Sequence, residues 1–360
     1  MKKILIDLER LKYPNTGIAT VFENLAKGLV KKPSKFSFYF FGPKKKLLTF
    51  TDKNHVIIHS PIFKFFDFFS QKYDLIHVSH QLSSYFQKNY STTKKIVTLH
   101  DLNFLKENFN QKKVDTNIQK VNNNLKHADY IVCISNFVKQ DFLENKHLFE
   151  LEKLKDIFVI YNGIQIPEER TYDLGKFDFL GNKKYILNIG VLFPKKNQIL
   201  LLDLVKNIEE DLVLIVSEEK QSYLEKFTNR MKELKIENKV HLLRHVSNEE
   251  KYALIQNCTA MVHPSIAEGF GVPPIEAMLF GKPVFLNNKT SLPEIGGDLA
   301  YYFEDLEPSQ MLEVYKNGLL HFNQNYEQKS ADYKNWGKQF SVENMTSKYL
   351  EVYDLIISND

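Results

Sequence analysis

The residues His263-Pro-Ser-Ile-Ala-Glu268-Gly-Phe-Gly271-Val-Pro-Pro-Ile-Glu276 decide how the rest of the chain is interpreted. Their pattern predicts the end of a buried strand, then a loop with two glycines, then a helix. The helix is expected to begin at Pro273 or Pro274, where a missing N–H costs nothing. Glu268 then precedes the helix, and Glu276 lies about one turn inside it.

This arrangement is more typical of a binding site than of a solvated surface. On spacing alone, two carboxylates eight residues apart favour two exposed side chains. The glycines change that interpretation, because Gly269 and Gly271 let a ligand approach the backbone. The N–H groups at a helix start also attract anions. The stretch therefore predicts a pocket for a phosphorylated or polyhydroxylated molecule.

Length and composition exclude several classes of protein. A chain of 360 residues with 43% hydrophobic content suits two globular domains. Its two cysteines, Cys133 and Cys258, lie in apolar segments without metal-ligand spacing, so we expect neither a disulfide framework nor a zinc site. Asp7 interrupts the first apolar run, and no run approaches the roughly 18 residues of a membrane span. We therefore expect neither a secretory signal nor a membrane-spanning segment, and we expect a cytoplasmic location, with the inner face of the cytoplasmic membrane left open.

The net charge of +4 is mild and does not imply nucleic acid, but it is unevenly distributed. Lysines cluster at 31–32, 44–46 and 94–95, all in the first hundred residues. Each cluster alone is typical of solvated surface, and together they leave open a peripheral contact with an anionic membrane. The aromatic stretch Phe63–Phe69 favours a core helix or an inter-domain contact, with a membrane interface as the alternative.

Strand and helix patterns alternate through both halves of the chain. In the first half we predict strands at Lys3–Leu8, Phe36–Phe41, His55–His59, Leu75–Val78, Lys95–His100, Tyr130–Ile134 and Ile157–Ile160. In the second half we predict strands at Tyr185–Ile189, Leu212–Ser217, Val240–Leu243, Thr259–Val262, Pro283–Leu286 and Leu299–Phe303. A charged stretch at Pro167–Arg170 separates the two halves. The pattern predicts an α/β protein with two open, mostly parallel, doubly wound sheets.

The stretch quoted first resembles a known family. Glu268 and Glu276, with Gly-Phe-Gly after the first and Glu-Ala-Met at the second, are similar to the Glu-x7-Glu signature of retaining GT-B glycosyltransferases of the group 1, family 4 type. Further along the sequence, the family's motifs follow in the same order, as Gly281-Lys-Pro-Val, Ser291-Leu-Pro-Glu294 and Gly297-Asp298. The resemblance covers residues 184 to 310 well and the first half more loosely.

This resemblance implies a GT-B fold, in which two Rossmann-like domains face each other across a cleft. We expect an acceptor-side domain at residues 1–165 and a donor-binding domain at residues 178–340. A C-terminal helix at residues 341–360 is expected to cross back to the first domain. Ligands of such sheets bind at the carboxyl ends of the strands.

The resemblance also implies roles around the signature loop. Glu268 would lie beside the transferred sugar as a catalytic residue, and the backbone of Phe270 and Gly271 would donate to sugar hydroxyls or phosphate. Glu276 would bind the ribose, a role that suits a carboxylate because it accepts two hydrogen bonds from a vicinal diol. The loop at Arg244-His245 resembles the segment beside the nucleotide base.

A basic loop is expected to hold the donor diphosphate. Gly190-Val-Leu-Phe-Pro-Lys195-Lys196-Asn197 resembles the family's Gly-Arg-x-x-Pro-Glu-Lys-Asn loop, and Lys196 is the direct match. A helix start adds partial positive charge there. The family's arginine is replaced by Val191 and its glutamate by Lys195. Lys195 and Arg244 are the candidates that would compensate for the missing arginine.

Candidate residues in the first half follow predicted strands. Gly17 is either a turn glycine or the family's loop residue near the diphosphate. His100 ends an apolar strand and resembles the family's active-site histidine, with Asp101 beside it. His80 follows another strand and, with Asp101, is a candidate on the acceptor side. The histidine pairs lack a third metal ligand and the chain has no Asp-x-Asp, so we expect neither metal nor cofactor.

Together with the resemblance, these features predict a metal-independent glycosyltransferase of the hexosyltransferase type. It would move a sugar from a GDP- or UDP-sugar to a hydroxyl of a growing glycan or glycolipid, in bacterial surface polysaccharide synthesis. The resemblance also implies that the transfer occurs with retention. Two alternatives stay open. One is another GT-B enzyme, either a nucleotide-sugar epimerase or a glycoside phosphorylase. The other is a non-catalytic sugar-nucleotide binding module, which Val191 makes conceivable.

Overall fold

The computed structural model describes residues 1–13, 17–65, 69, 72–107 and 109–358. The chain forms two compact units, Met1–Gln165 with Phe340–Asp360, and Ile166–Gln339. The segment that begins the second unit already belongs to its core, since Tyr172 and Phe177 are buried there. The first unit is therefore discontinuous in sequence, and the second is continuous.

Each unit is built on a parallel sheet. The strands of the first sheet are β1 Lys2–Asp7, β2 Phe36–Gly42, β3 Val56–Ile58, β4 Leu75–Val78, β5 Lys94–Leu99, β6 Tyr130–Cys133 and β7 Asp156–Val159. Those of the second are β8 Tyr185–Leu192, β9 Asp211–Glu219, β10 Val240–Leu243, β11 Ala260–His263, β12 Val284–Asn287 and β13 Tyr301–Phe303. Every predicted strand is present, with ends that differ by a few residues. The predicted α/β class is confirmed.

The strand order in both sheets has one reversal beside its first strand. The first sheet runs β3-β2-β1-β4-β5-β6-β7, and the second runs β10-β9-β8-β11-β12-β13. The pairings are parallel throughout these strands. The chain therefore leaves in opposite directions after β1 and β4, and after β8 and β11. Loops at such a reversal form a crevice at the carboxyl edge of the sheet, where ligands of this fold bind.

Helices cover the sheets between the strands. They are α1 Gly17–Lys31, α2 Lys44–Leu47, α3 Gln111–Leu125, α4 Asn136–Asn145, α5 Ile199–Lys206, α6 Gln221–Leu234, α7 Asn248–Asn257, α8 Val272–Leu279, α9 Leu292–Gly296, α10 Pro308–Gln324, α11 Tyr326–Lys338 and α12 Val342–Ser358. In α1 the apolar residues Phe22, Leu25, Ala26 and Leu29 are all buried. Their helical spacing places them on one face against the sheet.

The last helix, α12, completes the core of the first unit, as the predicted return of the C-terminal helix requires. Its Tyr349 and Tyr353 are buried with the first-unit strands and α1. The Tyr353 hydroxyl lies 2.6 Å from Nδ1 of His77, and Nε2 of His77 lies 2.8 Å from the Thr98 hydroxyl. A polar network therefore ties α12 to β4 and β5. Buried polar groups that find partners in this way fix one arrangement of a core.

The aromatic stretch Phe63–Phe69 falls partly outside the described residues, at positions 66–68. Of the described members, Phe69 is buried, and the rings of Phe63 and Phe69 lie 5.6 and 6.0 Å from the ring of Phe41. Phe65 is 73% exposed. Phe63 and Phe69 thus pack in the unit, as the favoured interpretation expects, and Phe65 does not. Across the described parts of the chain, we find no helix with the length and apolarity to cross a membrane.

Candidate active site

The loop after β11 has the predicted order of strand, glycine loop and helix. All four residues of β11 are buried, and α8 begins at Val272 with prolines in its first turn. Gly271 precedes the helix with φ of 120°, a left-handed conformation that favours glycine. Glu268 therefore lies before the helix and Glu276 inside it, as predicted.

Glu268 is held by two cationic or hydrogen-donating side chains at one oxygen. Its Oε1 accepts a hydrogen bond from Nζ of Lys196, and Nε2 of His263 lies 2.7 Å from the same atom. The side chains of Lys196 and Glu268 are 15% and 12% exposed, and that of His263 is 2% exposed. Because Lys196 follows β8 and His263 ends β11, the cluster sits at the strand-order reversal of the second sheet.

The charge of Glu268 is fixed by this cluster. Burial acts to raise the pKa of the Glu268 carboxyl, but the charge of Lys196 and the hydrogen bond with His263 outweigh it. The pKa of Glu268 is therefore held well below its ordinary value. A carboxyl with such a low pKa is anionic at any physiological pH and can stabilise positive charge, but it cannot deliver a proton as a general acid.

The basic loop after β8 is tied directly to the signature loop. The carbonyl of Lys195 accepts a hydrogen bond from the backbone N–H of Ile266 at 2.9 Å and from the hydroxyl of Ser265 at 3.2 Å. Asn197 follows with φ of 57°, which turns the chain towards α5. These contacts hold Lys196 beside Glu268, although the two residues are far apart in sequence.

Glu276 has a lysine of its own. Its side chain is 8% exposed, and its Oε1 accepts a hydrogen bond from Nζ of Lys251 in α7 at 2.5 Å. The backbone around the signature loop is fixed as well, because the hydroxyl of Ser291 donates to the carbonyl of Phe270 at 2.6 Å. Both signature carboxylates are thus paired with lysines in the second unit.

Arg244 and His245 lie in the loop after β10. Nε and Nη2 of Arg244 donate to Oε2 of Glu219 at 3.1 and 2.5 Å. His245 has φ of 54°, and its carbonyl accepts a hydrogen bond from Nζ of Lys176 at 2.8 Å. Arg244 is engaged with Glu219 rather than with either signature carboxylate. Its compensation for Val191 stays a prediction.

In the first unit, His100 and His80 come together at the carboxyl edge of the sheet. Their rings stack with centroids 5.0 Å apart. Nε2 of His100 donates to the carbonyl of Ser79 at 2.9 Å, and Nδ1 of His80 accepts from the backbone N–H of Leu82 at 2.9 Å. Burial lowers the pKa of His100 to about 4 and that of His80 well below its ordinary value. Both rings are therefore neutral at pH 7.

The other first-unit candidates are less closely gathered. Oδ1 of Asp101 accepts a hydrogen bond from the backbone N–H of Asn103 at 3.0 Å, and its carbonyl accepts from Nε2 of Gln81 at 2.9 Å. Gly17 is the first residue of α1, and a Cβ at that position would meet no described atom within 4 Å. The packing of the described residues therefore does not require glycine at position 17.

Acidification is expected to destabilise the first unit through its buried histidines. Burial lowers the pKa of His77 to about 3 and that of His100 to about 4, whereas unfolded histidine titrates near 6.5. Between those pH values the unfolded chain binds more protons than the folded chain. The contribution of the neutral histidines to the free energy of unfolding is therefore fully present above pH 6.5 and is lost as the pH falls. Each histidine contributes up to about 1.4 kcal/mol per pH unit.

This pH dependence can be measured by urea unfolding at pH 7.5, 6.5 and 5.5. His77→Gln is expected to lose one histidine's share of the slope, and the exposed His147→Gln is expected to keep the full slope. Equal slopes for wild type and His77→Gln would show that His77 is not buried in a neutral form.

Two residues of the site were not predicted. His263 could have been found, because it follows an apolar strand just as His100 does. Lys251 stands in the polar run Asn248-Glu-Glu-Lys251, which reads as an exposed helix start. Within the described ranges, no group of three histidine, cysteine, aspartate or glutamate side chains is arranged to hold a metal ion.

Two protein families match the chain, one in each unit. Residues 170–313 match the family described as Glycosyl transferases group 1, and residues 15–166 match the family described as Glycosyltransferase Family 4. The boundary between the two matches falls where the two compact units meet in sequence.

Individual relatives agree with these matches. The chain is 27% identical over 226 residues to the O-antigen chain mannosyltransferase RfbU of Salmonella typhimurium, a match that covers 61% of this chain and 60% of RfbU. The chain thus spans 60% of the length of that relative. It is also 25% identical over 365 residues to an uncharacterized 41.2 kDa protein in the cps region of Klebsiella pneumoniae, covering 94% of this chain and 96% of the relative.

Solved structures share the fold. The Anabaena protein Alr3699/HepE, crystallised in complex with UDP, superposes with a TM-score of 0.72 at 21% identity. The superposition covers 98% of this chain and 100% of that one. At this identity the likeness concerns the fold, which is the two-sheet architecture described above.

Proposed function

Because the chain belongs to the glycosyltransferases with the GT-B fold, we propose that it transfers a hexose, with retention, from a GDP- or UDP-sugar to a hydroxyl of a glycan or glycolipid. We further propose that it does so without a metal ion, in bacterial surface polysaccharide synthesis at the cytoplasmic side of the membrane. The O-antigen and cps-region relatives support the pathway, and the UDP complex of HepE supports the kind of donor.

One observation carries the proposal. Lys196, His263 and Glu268 converge where the strand order of the second sheet reverses. A lysine at this point can hold a phosphate, and an anionic carboxylate beside it can stabilise the positive charge that develops on a sugar as its bond to phosphate breaks. Gly271 and the start of α8 follow directly, so backbone N–H groups are available to the same ligand.

The pairing of Lys196 with Glu268 suggests how a donor enters. A diphosphate carries more negative charge than one carboxylate, so it competes for the ammonium of Lys196. Glu268 then keeps only its hydrogen bond with His263, and its carboxylate can face the sugar. The bond between the anomeric carbon and the phosphate oxygen breaks, the acceptor oxygen bonds to that carbon on the same face, and its proton passes to the leaving phosphate. A trapped glycosyl–Glu268 adduct would replace this order of events with a covalent one.

Residues of the first unit complete the proposal. We assign the acceptor side to His100, His80 and Asp101, at the carboxyl edge of the first sheet. The lowered pKa of His100 keeps its ring neutral, and because Nε2 donates to the carbonyl of Ser79, Nδ1 is the ring atom that would accept a hydrogen bond from the acceptor hydroxyl. The lysine clusters of this unit, such as 44–46 in α2, would support peripheral contact with an anionic membrane.

Replacing Lys196 by alanine is expected to weaken binding of the donor's nucleoside diphosphate about 10- to 100-fold, because a hydrogen bond to a charged group is lost. Isothermal titration with UDP and GDP measures the change. Lys232→Ala, at an exposed position of α6, is the matched control and should bind as wild type does. Equal affinity of Lys196→Ala and wild type would remove Lys196 from the diphosphate site.

The function itself is tested in two stages. A thermal-shift screen of nucleoside diphosphates and their sugars first identifies the donor, since a ligand of the folded state raises its apparent stability. The donor is then incubated with and without a glycan acceptor and with and without inorganic phosphate. Conversion that needs an acceptor supports a transferase, and the anomeric configuration of the product tests retention. Conversion of the donor into another nucleotide sugar without an acceptor indicates an epimerase. Conversion of the donor that depends on inorganic phosphate indicates a phosphorylase, and donor binding without turnover indicates a binding module.

A further inference from the structure

Lys251 is a charged residue of the second unit that the proposed reaction does not yet use. It lies in α7, and its Nζ donates to Oε1 of Glu276 at 2.5 Å. The two side chains are 20% and 8% exposed. A pair this sheltered differs from an ordinary surface ion pair, which contributes little and leaves both partners mobile.

The helix that carries Lys251 is firmly anchored. Ser247 and Glu250 form a capping box at its start, with the Ser247 N–H donating to Glu250 Oε2 at 2.8 Å and the Glu250 N–H to Ser247 Oγ at 3.2 Å. Behind Lys251, the side chains of Ala253, Leu254 and Ile255 are buried. The backbone position of Lys251 is thus set by the fold, which limits where its ammonium can reach.

The partner side chain is equally constrained. Glu276 is the fifth residue of α8, a helix whose last six residues are all buried. A carboxylate in such surroundings needs a compensating cation or hydrogen bonds, because burial of an unpaired charge is costly. The Lys251 hydrogen bond goes to Oε1, and each carboxylate oxygen has two acceptor positions. Since the hydrogen bonds seen among the described residues include none to Oε2, that oxygen keeps its full acceptor capacity, and Oε1 keeps one position.

We infer that Lys251 is a positioning residue that makes the donor site selective for ribose, by fixing the orientation of the Glu276 carboxylate towards the two ribose hydroxyls. The inference rests on the proposed function, in which Glu276 binds the ribose of the nucleotide. A carboxylate locked at one oxygen presents the remaining acceptor positions in a single direction, which suits a vicinal diol. Without Lys251 the carboxylate can rotate or turn to water, and the second hydroxyl loses its defined partner.

Two simpler roles for Lys251 predict different results. If its positive charge merely attracts the nucleotide phosphates, removal of Lys251 weakens the binding of ribonucleotides and of deoxyribonucleotides by the same factor. If it only stabilises the fold, its removal lowers the melting temperature and leaves the relative affinities unchanged. A positioning role changes the ratio of the two affinities, because only the ribonucleotide has the hydroxyl that is read.

The experiment is isothermal titration of the full chain with UDP, 2′-deoxy-UDP, GDP and 2′-deoxy-GDP. Wild type is expected to bind one ribonucleotide about 10-fold more tightly than its deoxy form, the size of one charge-assisted hydrogen bond. Lys251→Met should reduce this ratio to about 2-fold while keeping the deoxynucleotide affinity. Lys251→Arg should restore most of the ratio, and Lys232→Met should leave it unchanged.

The outcomes separate this inference from the function on which it rests. The positioning role is overturned if Lys251→Met leaves the ratio of ribonucleotide to deoxyribonucleotide affinity unchanged, or if it lowers both affinities by the same factor. Tight nucleotide binding by wild type without ribose preference also overturns it and leaves the proposed donor site intact. Absence of binding of all four nucleotides to wild type overturns the inference together with the proposed function.

Discussion

Glu268→Gln is expected to reduce sugar transfer about 10²- to 10³-fold or more, the range seen when one electrostatic stabiliser of a transition state is removed. The amide is nearly isosteric, so the fold should persist, but it carries no charge to oppose the positive charge that develops on the sugar. The neutral amide also attracts the ammonium of Lys196 less strongly than the carboxylate does, so it competes less with the diphosphate for Lys196. Nucleoside diphosphate binding should therefore be kept or strengthened while turnover is lost.

Turnover is measured with the donor identified by thermal shift, below the melting temperature of each variant. Glu304→Gln is the matched control, because Glu304 is exposed and pairs only with Asn288 in the described structure. It should transfer sugar at the wild-type rate. Wild-type turnover by Glu268→Gln would exclude Glu268 from the chemistry, and loss of both turnover and nucleotide binding would indicate a structural role instead.

Truncation of the chain after Ser341 is expected to prevent the first unit from folding stably. Four side chains of α12, Met345, Tyr349, Tyr353 and Ile356, are buried in that unit's core. Each contributes roughly 1.5–3 kcal/mol by burial, so the loss is on the order of 6–12 kcal/mol. A domain is typically stable by about 5–15 kcal/mol in total. The polar network that joins His77 to Tyr353 is lost as well.

The truncated chain is examined by urea unfolding and limited proteolysis. We expect protease cleavage throughout residues 1–165 and a protected fragment that corresponds to Ile166–Gln339. Nucleotide binding should survive, since Lys196, Glu268 and Glu276 all belong to the protected unit. As a graded control, Leu355→Ser changes an exposed position of α12 and should leave the first unit folded. A truncated chain with a protease-resistant first unit would contradict the role of α12.

The fold was largely readable from local patterns. Parallel strands buried on both faces give apolar runs such as Leu75–Val78 and Tyr130–Cys133, and these stand out between helical stretches. The helix after the signature loop was predicted to begin at Pro273 or Pro274 and begins at Val272, within two residues, because Gly271 and two prolines mark its start. The place of Tyr172 and Phe177 in the core of the second unit could not be predicted, because both lie among charged residues. The rings that contact Tyr172, those of Tyr252 and Phe280, also lie much later in the chain.

Residues of the candidate site could be predicted only where a chemically suitable side chain stands beside a recognisable element of local structure. Glu268 and Glu276 were predicted as site residues from the glycines and the helix start around them, and Lys196 from its place after a strand and its match to the family's basic loop. The partners of these residues depend on tertiary contacts. Lys196 reaches Glu268 across 72 positions, and Lys251 reaches Glu276 across 25, through loops and helices that meet only in the folded unit. No local pattern around Lys251 distinguishes it from a solvated lysine.

The return of α12 to the first unit has a consequence for synthesis on the ribosome. The first unit lacks part of its hydrophobic centre until residues 340–358 have emerged, whereas the second unit consists of one uninterrupted segment. We therefore expect the usual order, in which the amino-terminal domain folds first, to be reversed here. The core of the first unit stays incomplete until α12 has been translated, and α12 follows the last residue of the second unit.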